Sequence, residues 1–229
     1  MGVQILQRPS PNCGPRKGGI VAPDIVVIHY TAMQSAEDAI CTLCNRENEV
    51  SAHYLIARDG AVTQMVDERA RAWHAGSGRW AGCEDINSRS IGIELDNDGY
   101  SPFSNALMDA LEDLLGAVLT RWDIPLHHVI AHSDLAPLRK SDPGRRFDWR
   151  RLALGGLSIW PTGEQIEAPL ADSLKKLGYS VDTFGQEPCL EAFRQRFAPM
   201  RSGPETEADR QEAASLAAQF AVDPWTGAS

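Results

Sequence analysis

The sequence predicts an α/β fold with a central mixed β-sheet flanked by α-helices, followed by a small C-terminal module of three helices. Continuous apolar runs, typical of strands buried on both faces, alternate with segments whose apolar residues recur at helical spacing. An Asp-Gly pair at 59–60, between two strand candidates, indicates a tight hairpin turn and hence a sheet that is not wholly parallel. Beyond Pro161 only helical patterns follow. We therefore expect two domains, residues 1–161 and residues 162–229.

The first elements follow from local patterns. Residues 1–23 contain four prolines and little periodicity, so we expect an irregular arm. The apolar run 25–30 predicts a buried strand. Ser35 is expected to cap a helix that ends near Asn45, because acidic residues fill the first turn and apolar residues line one side.

Short strands are predicted at 52–57 and 61–67, on either side of the Asp-Gly turn. The Gly-, Ala- and Trp-rich stretch 73–84 is expected to form a surface loop, and 90–95 a second buried strand. The remaining predicted elements are a leucine-rich helix over 104–122, a strand over 128–132, a short helix over 147–152, and module helices over 170–177, 189–197 and 208–220.

Charge and length exclude several classes of function. With 22 basic and 31 acidic residues among 229, the net charge is -9. Nucleic-acid binding depends on basic side chains that neutralise phosphates, and anionic membranes attract basic surfaces, so we expect neither partner. The N-terminal residues do not resemble a secretory signal, and no apolar run is long enough to span a membrane. The expected compartment is the cytoplasm, or the periplasm or exterior if a leader is missing.

Five cysteines are present, and Cys41 and Cys44 form a C-x-x-C pair. Such a pair can be a redox centre or half of a structural zinc site. It is more often two small apolar residues on one helix face, since positions i and i+3 are neighbours there. We favour the second interpretation, because no second C-x-x-C occurs.

Three residues match the ligand set of a catalytic zinc site. His29 and His132 each end a predicted strand, and Asp142 lies in the turn R-K-S-D-P-G. Two neutral imidazoles and one carboxylate leave a fourth position open for water, whose pKa falls to about 7. Glu94 would then be the general base and Lys140 would stabilise the oxyanion. A lone histidine is more often a structural residue than a zinc ligand, and the spacing of these residues alone does not decide between the two roles.

Five motifs occur in order along the first domain. They are V-V-I-H-Y-T-A, V-S-A-H-Y-L-I-A-R-D-G, A-W-H-A-G, S-I-G-I-E-L-D-N and I-A-H-S-D-L-A-P-L-R-K-S-D-P-G. From about Pro9 to Pro161 the chain resembles the type 2 N-acetylmuramoyl-L-alanine amidases, a superfamily that includes the peptidoglycan recognition proteins. The resemblance implies zinc-dependent cleavage of the amide between N-acetylmuramic acid and L-alanine. It implies one zinc ion per chain, with His29, His132 and Asp142 as ligands, Glu94 as the catalytic carboxylate and Lys140 assisting the transition state.

Other polar residues in these motifs have open roles. Trp73 and His74 are expected to line the cleft and contact substrate, as are Tyr30 and Asn97, which adjoin a ligand and the base. His53 is expected to be structural. Asp134 is the rival third ligand, but we prefer it as a structural partner in its loop.

The C-terminal module resembles the small helical peptidoglycan-binding module found beside many such amidases. L-A-D-S-L-K-K-L-G-Y and A-F-R-Q-R-F carry this resemblance, whereas the glycine-rich turn between them is altered. Because every candidate catalytic residue precedes residue 145, we expect the module to be dispensable for cleavage of small substrates.

The expected function is hydrolysis of peptidoglycan fragments (muropeptides) in cell-wall recycling. The alternatives are a non-catalytic peptidoglycan-binding protein, since some members of the superfamily have lost the metal, and a lysin that acts on intact cell wall. The presence of Asp142, Glu94 and Lys140 together favours the enzyme.

Overall fold

The computed structural model describes residues 5–163 and 166–223. The strands are β1 (Ile5–Gln7), β2 (Cys13–Gly14), β3 (Ile25–Tyr30), β4 (Tyr54–Ile56), β5 (Val62–Gln64), β6 (Arg71–Ala72), β7 (Ser90–Leu95) and β8 (Val129–Ala131). The helices are α1 (Ala36–Cys44), α2 (Ile86–Arg89), α3 (Asn105–Trp122), α4 (His132–Leu135), α5 (Trp149–Leu154), α6 (Leu170–Lys176), α7 (Val181–Phe184), α8 (Gln186–Phe197) and α9 (Glu207–Gln219).

The predicted mixed sheet is confirmed. Six strands lie in the order β1-β5-β4-β7-β3-β8, and β2 pairs with β6 in a separate ribbon. The hairpin β4–β5 is antiparallel, whereas β1–β5, β3–β7 and β4–β7 are parallel. The hairpin turn forms at the predicted Asp-Gly pair, where Gly60 has a φ of 89° and Asp59 Oδ1 accepts the Ala61 N–H at 3.0 Å.

The N-terminal arm is less irregular than predicted. Residues Ile5–Gln7 form the edge strand β1, parallel to β5, and Arg8 N continues the pairing by donating to Gln64 O at 3.0 Å. The prediction was wrong here because a three-residue edge strand carries no periodicity of its own, and its conformation is set by the partner strand. The prolines follow directly after it, at Pro9 and Pro11.

Helix α1 begins at its predicted cap, and α3 begins one residue after its predicted start, with Ser104 as its cap. Ser35 Oγ accepts the Asp38 N–H, and Ser104 Oγ accepts the Leu107 N–H, both at 3.2 Å. One face of α3 is buried along its whole length. This face consists of Leu107, Met108, Leu111, Leu114, Leu115, Val118 and Leu119. The predicted leucine stripe is therefore the core-facing side of this helix.

The chain divides into two compact units, residues 1–76 with 86–130 and residues 77–85 with 131–229. The first unit contains nearly all of the sheet. The second is helical, with a core formed largely by Leu174, Phe193, Phe197 and Leu216. In its C-terminal part, α6, α8 and α9 match the three predicted helices, and a single turn, α7, is added. The predicted functional boundary at 161 stays a prediction.

Among the helices of the described residues, none has both the length and the apolar character that a membrane span requires.

Candidate metal centre

The parallel pairing of β3 with β7 places the first two candidate residues side by side. His29 and Glu94 are direct partners in this ladder, so both side chains project from the same face of the sheet. Along β7 the residues alternate. Ile91, Ile93 and Leu95 share one face, and Ser90, Gly92 and Glu94 share the other. The sheet therefore presents a polar strip on the face that carries His29.

His132 directly follows β8, the neighbour of β3 in the sheet. It begins helix α4 instead of ending a strand as predicted, because Asp134 Oδ2 accepts the Ala131 N–H at 2.9 Å and caps that turn. The segment after α4 then folds back, so that Asp142 lies beside His132. Ser133 N donates to Asp142 O at 3.1 Å, and His132 Nδ1 lies 2.9 Å from Asp142 Oδ2.

His29, His132 and Asp142 are all buried, and each offers one ligand atom within 4.8 Å of the other two. Two imidazoles and one carboxylate form the donor set of an open catalytic zinc site. The residues present therefore fit zinc in both chemistry and proximity.

A chain of hydrogen bonds fixes the protonation of the His29 ring. His29 Nε2 lies 3.0 Å from His74 Nδ1, His74 Nε2 lies 3.0 Å from Ser90 Oγ, and Ser90 Oγ donates to Ile86 O at 2.6 Å. Since a carbonyl oxygen only accepts, the single Ser90 proton points to Ile86, and Ser90 accepts from His74 Nε2. His74 Nδ1 then accepts from His29 Nε2, which leaves the His29 lone pair on Nδ1. This is the neutral form that a metal ligand needs.

His74 was predicted to contact substrate, which stays a prediction, and in the structure its ring lies between His29 and Ser90. Both of its ring nitrogens contact protein groups, His29 and Ser90. The ring lies so close to β7 that a Cβ at Gly92 would be 2.4 Å from His74 Cγ. Only glycine at position 92 leaves room for this ring.

His53 lies beside this chain and is structural, as expected. Its Nδ1 accepts the Gly92 N–H at 3.0 Å, which places the ring proton on Nε2, 3.2 Å from Ala70 O. Burial lowers the pKa of His53 from 6.5 to about 3, because the desolvated ring cannot hold a charge.

We expect this buried imidazole to make the protein less stable in acid. Below a pH of 6.5 the unfolded His53 takes up a proton, whereas the folded ring stays neutral down to about 3. The unfolded state therefore binds more protons in this window, and His53 lowers the free energy of unfolding by about 1.4 kcal/mol per pH unit as the pH falls. Denaturant unfolding of wild type and His53→Asn between these pH values measures this contribution. Parallel pH profiles for the two proteins would contradict the assignment.

The two candidate catalytic side chains differ in exposure. Glu94 is partly buried next to the ladder position of His29, whereas Lys140 is exposed in the turn between His132 and Asp142. The Lys140 backbone N–H donates to Ala136 O at 2.9 Å, which closes that turn.

Two further residues predicted to contact substrate, Tyr30 and Asn97, make contacts elsewhere in the protein. Because side chains alternate along β3, Tyr30 points away from the face that carries His29. Its ring lies next to Gly99, where an added Cβ would be only 3.0 Å from Tyr30 Cζ. Asn97 is buried, and its side chain holds its own loop through Ser101 O, at 3.1 Å, and the Gly99 N–H, at 2.8 Å. A substrate contact by Tyr30 or Asn97 stays a prediction.

Trp73 is the predicted cleft residue directly before His74. Its backbone N–H donates to Ser51 Oγ at 2.9 Å, and its carbonyl accepts the Ser51 N–H at 3.1 Å. These two bonds fix the segment after β6 from which the His74 ring projects. A substrate contact by the Trp73 ring stays a prediction.

Comparison with known proteins gives consistent results. The family model for N-acetylmuramoyl-L-alanine amidase matches residues 20–145. The N-acetylmuramoyl-L-alanine amidase AmiD of Escherichia coli K12 is 33% identical in an alignment 221 positions long, and this alignment covers 82% of this chain and 79% of AmiD. The 1,6-anhydro-N-acetylmuramyl-L-alanine amidase AmpD of Haemophilus influenzae is 42% identical over 103 residues, 44% of this chain and 56% of AmpD. The match to AmpD thus spans about half the length of that relative.

Solved structures agree over nearly the whole chain. E. coli AmiD in complex with the substrate anhydro-N-acetylmuramic acid-L-Ala-D-gamma-Glu-L-Lys has a TM-score of 0.75 at 30% identity and covers 93% of both chains. AmpDh3 of Pseudomonas aeruginosa has a TM-score of 0.77 at 26% identity and covers 93% of this chain and 96% of its own. The family model over more than half of the chain and the long alignment with AmiD show that this protein belongs to the N-acetylmuramoyl-L-alanine amidase family.

Proposed function

We propose that this amidase uses one zinc ion, held by His29, His132 and Asp142, to cleave the amide between N-acetylmuramic acid and L-alanine in soluble muropeptides. The observation that carries the proposal is the approach of two buried imidazoles and a buried carboxylate to within 4.8 Å of one another. Glu94, the ladder partner of His29, lies on the same face of the sheet. The amidase family and the anhydro-muropeptide substrate bound to AmiD support the choice of bond and fragment.

When bound, zinc would supply Lewis-acid activation of water and of the amide carbonyl. Glu94 accepts a proton from the attacking water and delivers it to the amide nitrogen. Attack of the water forms the new carbon–oxygen bond and moves the carbonyl electrons onto oxygen, and the carbon–nitrogen bond then breaks as this oxyanion collapses, which yields a muramic acid carboxylate and a free L-alanine amine. Lys140 stabilises the negative charge that develops on the carbonyl oxygen.

Replacing Lys140 with alanine is expected to lower kcat more than it raises KM. The oxyanion exists mainly in the transition state. Loss of the Lys140 contact to it therefore lowers turnover more than it weakens substrate binding. We expect a reduction in kcat of about 10²- to 10³-fold, the range for loss of one oxyanion donor. Steady-state kinetics on a soluble muropeptide measure both constants. Lys176→Ala, which removes another exposed lysine, is the matched control and should behave as wild type. An unchanged kcat in Lys140→Ala would remove Lys140 from the mechanism.

A role in peptidoglycan recycling follows from the proposed substrate, because turnover of the wall releases soluble anhydro-muropeptides. The alternative is a lysin acting on intact wall. Product analysis with a soluble anhydro-muropeptide and with intact sacculi, at equal enzyme concentration, distinguishes them. We expect much faster release of stem peptide from the soluble fragment. Faster degradation of sacculi would favour the lysin. We also propose that the protein is located in the cytoplasm, which fractionation of the native cells tests.

A further inference from the structure

Asp134 connects the metal-ligand turn to the C-terminal helices. It lies two residues after His132 and is 1% exposed. Its Oδ2 accepts the Ala131 N–H at 2.9 Å and an N–H of Arg196 Nη1 at 3.1 Å, and its Oδ1 accepts the Tyr179 hydroxyl at 2.8 Å. One carboxylate thus binds the backbone just before a candidate zinc ligand and two side chains that follow Pro161.

Both of these side chains are held firmly. The Arg196 guanidinium carbon lies 4.5 Å from the centre of the Trp149 ring, and Arg196 Nη2 donates to Ser158 Oγ at 3.3 Å. Tyr179 is buried, and the preceding residue, Gly178, packs closely against Trp80. A Cβ added at Gly178 would lie only 2.5 Å from the Trp80 ring. The two donors therefore present a fixed geometry to the Asp134 carboxylate.

The turn that carries His132 depends on this carboxylate. Helix α4 is only four residues long, and a single helical turn has little stability of its own. The bond from Ala131 N–H to Asp134 defines where the turn begins, and hence where the His132 ring projects. A carboxylate buried without its cationic partner would lose the interactions that hold it in this position.

We propose that Arg196 and Tyr179 are positioning residues for the metal centre, acting on His132 through Asp134. The inference rests on the proposed zinc site. The C-terminal helices thus complete the amidase site, whether or not they also bind glycan. This reverses the expectation that the module is dispensable, because truncation after Pro161 would remove both donors to Asp134.

The test compares two buried arginines of helix α8. Arg196→Gln removes the ion pair with Asp134. Arg194→Gln is the matched control, because Arg194 is also buried and pairs with Asp209, with Nε 3.0 Å from Oδ1. Tyr179→Phe is a milder variant that keeps the ring. For each full-length protein, the zinc Kd is measured by competition with a chromophoric chelator. The visible spectrum of the cobalt-substituted form and the thermal unfolding of the metal-free form are also recorded.

We expect Arg196→Gln to raise the zinc Kd by about 10- to 100-fold, as for residues that orient metal ligands elsewhere, and to change the cobalt spectrum. Tyr179→Phe should raise the Kd in the same direction by a smaller factor. Arg194→Gln should lower the thermal stability but leave the Kd within about twofold of wild type. Arg196→Lys, which restores a cation, should recover part of the affinity.

A double variant shows whether the effect passes through Asp134. If it does, Arg196→Gln should raise the zinc Kd of Asp134→Asn little further. Equal losses of zinc affinity in Arg194→Gln and Arg196→Gln, or an unchanged Kd in both Arg196→Gln and Tyr179→Phe, would overturn the proposal. Failure of the wild-type protein to bind zinc would instead refute the zinc site itself.

Discussion

Glu94→Gln is expected to reduce turnover by about 10²- to 10⁴-fold, the usual contribution of a general acid–base group, and to leave zinc bound. Glutamine keeps the size of the side chain but cannot accept a proton from water or deliver it to the leaving nitrogen. Glu94 projects from the same face as His29, its ladder partner, so it is placed to act at the metal centre.

The measurement combines kcat on a soluble muropeptide with the zinc content of the purified variant. The exposed Glu37→Gln in α1 is the matched control and should retain full activity. Loss of zinc in Glu94→Gln would identify Glu94 as a ligand and put the assignment of Asp142 in doubt. Turnover within a few fold of wild type would exclude Glu94 as the base.

Gly92→Ala is expected to weaken zinc binding, although it replaces none of the proposed zinc ligands. The new Cβ would lie 2.4 Å from His74 Cγ and 2.6 Å from Nδ1, the atom that contacts His29, so the ring must move. We expect the zinc affinity to fall by about 10- to 100-fold, since His74 fixes the tautomer of His29. The strain should also destabilise the fold by about 1–3 kcal/mol.

The zinc Kd and the free energy of unfolding measure these two effects. Gly14→Ala is the matched control, because a Cβ at this strand position meets nothing within 4 Å. Its zinc affinity should equal that of wild type. A Gly92→Ala protein with unchanged zinc affinity would show that the bond between His74 and His29 does not prepare the ligand.

Much of the fold was predictable because its signals are local. The apolar runs that form β3 and β7, the serine caps of α1 and α3 and the Asp-Gly turn each lie within a few residues. The edge strand β1 was missed because only its pairing with β5, over fifty residues later, defines it.

The three residues of the candidate metal centre were predictable from the sequence, but the contacts that surround them were not. His29, His132 and Asp142 were found by chemistry and resemblance, whereas the roles of Ser90 and Gly92 were missed. A signal was present, because S-I-G-I-E-L alternates small or polar residues with apolar ones, as expected for a strand with one polar face. The contacts of Asp134 with Tyr179 and Arg196 join residues 45 and 62 positions apart, and no local pattern encodes them.

The central claim is that zinc at His29, His132 and Asp142 enables this chain to cleave the muramyl–alanine amide. The most direct test is titration of zinc into chelator-treated protein while release of stem peptide from a soluble anhydro-muropeptide is followed. Activity should be absent at the start, rise linearly to about one equivalent of zinc per chain and then stay constant, and His132→Ala should remain inactive throughout. Full cleavage by a wild-type preparation shown to be metal-free by elemental analysis would contradict the account.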